Sequence, residues 1–118
     1  MNLRDKIKHA NPENQKLVPV PEWDCNILIV GISALERTKW EESLVQGKGK
    51  KAKPKLDHAR ALLIVRAARD PETGDPLFQP DDHLWLSEKS SKPISRLYDV
   101  AAELAGITDD DIEELAEN

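Results

Sequence analysis

The residues whose types could do chemistry are few: His9, His58 and His83, one cysteine, Cys25, a Gly47-Lys48-Gly49-Lys50 run and a large number of carboxylates. Two histidines one helical turn apart, or a His/Cys set at ligand spacing, would point to metal-assisted hydrolysis. Neither spacing occurs, and the three histidines read as surface residues. Cys25 would need a base partner to act as a nucleophile, and nothing in the sequence nominates one, so a small packed thiol is the better reading. The glycine-lysine run lacks both the GxxxxGK[ST] spacing and the strand-to-helix setting of a phosphate loop. Asp109-Asp110-Asp111 lacks the alternating ligands, central Gly and distal Glu of a calcium loop. Behind Thr108 it reads instead as the first turn of a capped helix, where negative side chains are favoured by about 0.3–1 kcal/mol each. No catalytic, metal or cofactor set emerges, and the chain is not read as an enzyme.

The elements that would position a site have to come from one modest core. The chain has 118 residues, 39% hydrophobic and 33% charged, with only five aromatic residues: Trp23, Trp40, Phe78, Trp85 and Tyr98. That length suits one domain with an aliphatic core. A single cysteine excludes a disulfide scaffold, and the start MNLRDKIKHANPENQK lacks the apolar centre of a signal peptide, so a cytosolic, non-membrane protein is expected. Net charge is −5, but residues 1–55 carry 11 Lys/Arg against 7 Asp/Glu, whereas 56–118 carry 6 against 15. An acidic chain is a poor candidate for a dedicated nucleic-acid binder, whose affinity rests on many Lys and Arg contacts to phosphates.

Period and punctuation predict an α+β fold. Residues 1–16 read as a flexible tail, or at most one short helical turn, and 17–118 as a single domain. Strands are expected near 17–22, with Pro19 and Pro21 confining that one to an edge, and near 26–32, where the run Ile27-Leu28-Ile29-Val30 is rich in β-branched residues. Ser33-Ala34-Leu35-Glu36 fits a capping box and opens a helix near 33–46. The apolar run Ala61-Leu62-Leu63-Ile64-Val65 is ambiguous between helix and strand; a strand near 62–68 is favoured, turning through Asp70–Asp75 to a short return strand near 76–78. Helices are then expected near 81–89, near 93–105 with Ile94, Leu97, Tyr98, Ala101, Leu104 and Ala105 on one face and Gly106 as the stop, and near 109–116. The whole makes a small antiparallel sheet packed by three to four helices.

Between these elements, Lys48, Lys50, Lys51, Lys53 and Lys55 crowd the loop 47–55. Electrostatic contact with a polyanion or an acidic protein surface is one reading of this run; a solvated loop kept extended by like-charge repulsion is the simpler one.

The order of these words resembles a known family. Val18-Pro19-Val20-Pro21-Glu22-Trp23 leads in, a strand ends before a capped Leu35-Glu36-Arg37 helix with Trp40-Glu41, and Asp70, Thr73-Gly74-Asp75 and Pro76-Leu77-Phe78 follow an aliphatic run. Asp81-Asp82, Lys89-Ser90-Ser91, Leu104-Ala105-Gly106-Ile107 and the closing Asp109-Asp110-Asp111-Ile112-Glu113-Glu114-Leu115-Ala116-Glu117-Asn118 complete the sequence. From Val18 to Asn118 this resembles the tail assembly chaperones of long-tailed bacteriophages and related prophages. The resemblance implies a non-catalytic late protein without cofactors, working in the cytoplasm of the infected or lysogenic host. It implies binding and solubilising of the tape measure protein, recruitment of the major tail tube protein, possible rings or higher homo-oligomers, and absence from the finished virion. Trp40, Leu44, Trp85 and Leu115 are candidates for a partner face, each equally open to a place in the core. A nucleic-acid accessory protein using the lysine loop, and a structural tail connector or completion protein, are the alternatives.

Overall fold

Val18 and Val20 alternate with exposed neighbours, Ile27 and Ile29 with the half-buried Leu28 and Val30, and two such segments either side of a tight turn form a hairpin with one fully buried face. In the structure, a computed structural model, strands β1 (Gln15–Val20) and β2 (Cys25–Val30) pair antiparallel in a register running from Gln15 opposite Val30 to Val20 opposite Cys25. The structure describes residues 2–10, 14–46, 53–54, 57–108 and 110–111. Pro21–Trp23 turns the corner as one 3-10 turn, closed by Asp24 at φ 51°, a left-handed position that Asp tolerates better than most residues. Ahead of β1, α1 (Leu3–Lys8) is capped by Asn2 and buries none of its residues.

Ser33 caps α2 (Ala34–Ser43), its hydroxyl accepting from the Glu36 amide at 3.1 Å. Only this half of the capping box forms. The Glu36 carboxylate instead accepts from Arg66 Nη1 at 2.5 Å, tying α2 to the next helix. The helix is shorter than expected: Leu44 ends it, and Val45–Gln46 (β3) pairs with Lys53–Pro54 (β4) in a two-residue ladder at the feet of the lysine loop.

The run at 62–68 is a correction. It is not a strand but α3 (Ala59–Ala67), and only Ala68–Arg69 (β5) extends to pair with Ile29 and Leu28 of β2. Ala59, Leu63 and Ala67 recur every fourth residue and are all buried, as are Ala61 and Ile64. A helix buried on most of its surface reads as a continuous apolar run, which has no period to betray it, and the alanines then favour helix over strand. The return strand near 76–78 is also absent as a strand. The turn through Gly74, at φ 78°, brings Pro76 back to a single bridge with Arg69, and Pro76 has no N–H with which to extend the ladder.

Pro80–Asp82 forms a 3-10 turn running into the short α4 (His83–Leu86), where a longer helix near 81–89 was expected. The long α5 (Ser91–Ala105) matches the expected amphipathic segment, burying Ile94, Leu97, Ala101 and Ala102. Gly106, at φ 71°, ends it, with the Ile107 amide reaching back to the Ala102 carbonyl at 2.9 Å. Thr108 and Asp111 then cap one another: the Thr108 amide donates to Asp111 Oδ2 at 2.8 Å and the Asp111 amide to Thr108 Oγ1 at 3.3 Å. The rest of the expected helix near 109–116 lies outside the described residues.

The core sits between the inner face of β1–β2 and α3 and α5, with α2 and α4 closing its sides. A three-stranded sheet, in the order β1-β2-β5, and helices on one face make the fold α+β. Trp40 is the largest buried side chain, 1% exposed, and its indole N–H donates to the Ala59 carbonyl at 2.9 Å. Truncating it removes both packing and that bond. Trp40→Ala is expected to lower the unfolding free energy by about 3–5 kcal/mol, read from urea melts; an unchanged midpoint would contradict its place in the core.

Candidate functional site

A concavity is built where the hairpin corner meets α4. Asp82, in the first turn before α4, accepts from the Gln79 amide through Oδ2 at 2.8 Å and from Trp85 Nε1 through Oδ1 at 2.9 Å. This carboxylate therefore fixes both the start of the turn and the rotamer of Trp85. Phe78 meets the Trp85 ring edge-on, with centroids 5.8 Å apart, and the Lys89 ammonium lies 5.9 Å from the same ring. Such offset aromatic and cation–π contacts are each favourable by roughly 0.5–1 kcal/mol at exposed positions. Ile27 and Leu86 form the floor, Trp23, Cys25 and Leu77 the facing wall, around a groove of about 400 Å³. Trp85 is 46% exposed and Leu77 39%. With the indole N–H already satisfied, what the groove offers is apolar surface with a cation at its lip.

Ion pairs tie α5 to the hairpin corner and the chain beyond its C-terminus to α2. At the groove end, Arg96 grips Glu22 in a two-pronged contact, Nη1 to Oε1 and Nη2 to Oε2 both at 2.7 Å. The Arg96 hydrogen bond is the main reason the Glu22 carboxyl falls to about 2, and the same bond raises Arg96. At the far end, Arg37 reaches the carbonyls of Ala105 and Gly106 at 3.5 Å and Asp111 Oδ2 at 3.3 Å, a cation placed at a helix C-terminus. Asp111 is lowered first by the Thr108 amide, then by the Thr108 hydroxyl and Arg37. Asn14 adds a hydrogen bond to the Leu104 carbonyl at 2.6 Å, and Gly31 lets the two approach: a Cβ there would stand 3.0 Å from Asn14 Nδ2.

The structure separates the residues expected to form one partner face. Trp40 and Leu44 are core residues, because the half of α2 that carries them packs down onto α3; neither faces a partner in this conformation. Trp85 stands in the groove. Leu115 lies outside the described residues, as do Lys48, Lys50, Lys51 and Lys55, while Lys53 belongs to β4. Trp23, Leu77, Phe78 and Lys89 are the groove residues that sequence reasoning did not assemble. The scarcity of aromatic residues was the available signal, since three of the five meet here.

His58 and His83, expected as separate surface residues, are both half-buried with rings perpendicular and centroids 5.2 Å apart. Ser87 Oγ donates to the His83 carbonyl at 2.7 Å, so at 2.7 Å from His58 Nδ1 it can only accept. The hydroxyl proton faces a carbonyl rather than a base, which is the wrong way round for an activated serine. Among the described residues no group of three or more His, Cys, Asp or Glu side chains could hold a metal ion, and no helix is long and apolar enough to cross a membrane.

The model of the family described as phage tail assembly chaperone matches residues 2–118. The chain belongs to that family. A solved structure, that of the bacteriophage HK97 tail assembly chaperone, is similar with a TM-score of 0.59 over 90% of this chain and 96% of that one. At 20% identity the likeness establishes a shared fold. No curated protein matches the sequence. For a tail assembly chaperone the useful property of the site is shape: an open apolar groove held in place by the Asp82–Trp85 and Glu22–Arg96 contacts.

The second of these contacts gives a pH signature. Because the folded carboxyl titrates at about 2 against an ordinary 4.5, the Glu22–Arg96 contact stabilises fully above 4.5 and loses its effect as pH falls towards 2. The stability difference between the wild type and Glu22→Gln, from urea melts at successive pH values, is expected to shrink across that window. A difference that is constant from neutral pH to the acid end would show that the fork is not formed in solution.

Proposed function

We propose that this tail assembly chaperone acts without catalysis, by binding the tape measure protein and keeping it in solution while tube subunits assemble around it. Membership of the family over residues 2–118 is the observation that carries the reading. The groove supports it: Trp85 and Leu77 present apolar surface at its walls, and apolar patches with a polar rim mark interaction sites. The major tail tube protein and further copies of this chain are its other proposed partners. The work is done in the cytoplasm of the bacterial host, and the chaperone leaves before the virion is complete. Many weak contacts along a long helical partner suffice, since each bound copy raises the effective concentration of the partner for the next.

Co-expression is the direct test. Producing this chain with the tape measure protein of the same phage is expected to raise the soluble fraction of that protein and to yield a copurifying complex. Mass spectrometry of purified virions is expected to find the tape measure protein and the tube protein but not this chain. A tape measure protein that stays insoluble and uncaptured would sink the proposal.

A further inference from the structure

His58 and His83 are far apart in sequence, and the fold brings them together where the start of α3 meets the start of α4. Their ring nitrogens have different surroundings. Because the Ser87 hydroxyl donates to the His83 carbonyl, it accepts from His58, whose Nδ1 therefore carries the proton. A neutral imidazole in that tautomer keeps its lone pair on Nε2. His83 differs, in that its Nδ1 is buried and has no hydrogen-bond partner among the described residues. Buried nitrogens are normally satisfied, so this one lacks something that the chain does not supply.

A divalent metal ion would supply it. Neutral imidazole is a ligand for zinc, nickel and copper, and its bond to zinc is about 2.0–2.1 Å long. At that length two imidazoles on one tetrahedral ion have their ring centres about 5 Å apart. The centroids of His58 and His83 are 5.2 Å apart. Each ring can turn about its own metal bond, so the 85° between the two planes is compatible with a shared ion. Ligating histidines also hold their second N–H on an oxygen acceptor, which fixes tautomer and orientation. Ser87 Oγ does this for His58.

The neighbouring charges suit a cation. Asp57 precedes His58 and Asp81-Asp82 precede His83, while Arg60, the first cation along α3, is drawn away over the Tyr98 ring, 5.7 Å from its centre. We propose that His58 Nε2 and His83 Nδ1 together bind one divalent transition-metal ion, with water in its remaining positions. Both residues are half-buried, which leaves a side open to that water. Two protein ligands make an exchangeable site, unlike the four of a structural zinc centre. The ion clips α3 to α4, and α4 carries Trp85 and Leu86 of the groove, so occupancy steadies that wall whatever lies against it.

The test is titration of the full chain with zinc chloride, followed by calorimetry and by the imidazole C–H signals in proton NMR. Wild type is expected to take up one ion per chain, with the signals of His58 and His83 shifting together while those of His9 stay in place. Its melting midpoint should rise with zinc, because the ion binds the folded chain. His58→Gln and His83→Gln are each expected to weaken binding by about tenfold or more and to abolish the rise in midpoint, whereas His9→Gln and Cys25→Ser change neither. Circular dichroism checks that each variant folds, and the wild-type NMR titration decides the question without any variant. No uptake by the wild type at about 1 mM zinc overturns the proposal. So does binding that survives both histidine substitutions, that is lost in only one of them, or that moves to His9 or Cys25.

Discussion

Nine residues, Ala59 to Ala67, carry most of the architecture, because a short helix with so little exposed surface has no stability apart from its neighbours. Isolated helices of this length are marginal in water, and α3 forms only because β2, α2, α4 and α5 all remove its side chains from solvent. The dependence is mutual. Trp40 packs on α3 and donates to its first carbonyl, Arg66 on its last turn holds Glu36 at the start of α2, and Ala68, the residue after it, becomes the third strand of the sheet. Loosening α3 would release three elements together, so the cooperativity of the fold is concentrated there.

Polar contacts then decide where the ends of the elements lie, which the aliphatic core cannot do by itself. Burial is non-directional, and Leu97 or Ala101 would be equally content with α5 shifted along the sheet. The Glu22–Arg96 fork at one end, and Asn14 with Arg37 at the other, remove that freedom. These contacts are partly open to water, where such energies are modest, and their effect is on position more than on stability. The groove inherits its shape from this, since Trp23 follows directly on Glu22.

Local signals were legible in the sequence, and signals that depend on the number of buried faces were not. Ser33 and Gly106 set helix ends where their backbone chemistry requires, and the apolar segments near 17–22 and 26–32 were legible as strands, because each reports its structure within a few residues. Residues 62–68 failed for a physical reason: alternation and helical period both vanish when a segment is buried on most of its sides, leaving only composition to choose between strand and helix. Trp40 was equally open to a partner face and to the core because α2 is mostly polar. Nothing local shows that the single turn bearing Trp40 and Leu44 is the one pressed into the core. The groove was invisible for a related reason, its walls coming from 23–27, 77–78 and 82–89, which only the folded hairpin brings together.

The placement of the aromatic residues gives the groove its meaning. Fully burying a large apolar side chain contributes about 1.5–3 kcal/mol, and a small domain with an aliphatic core has few such contributions available. Of five aromatic residues, Trp40 alone is fully buried, while Trp23, Phe78 and Trp85 line an open surface. Asp82 holds Trp85 by its indole nitrogen with the ring 46% exposed. The hydrogen bond and ring contacts that hold Trp85 there leave its apolar face partly in water. It is the arrangement expected of a protein whose apolar surface is completed by something else, as the surface of a chaperone has to be.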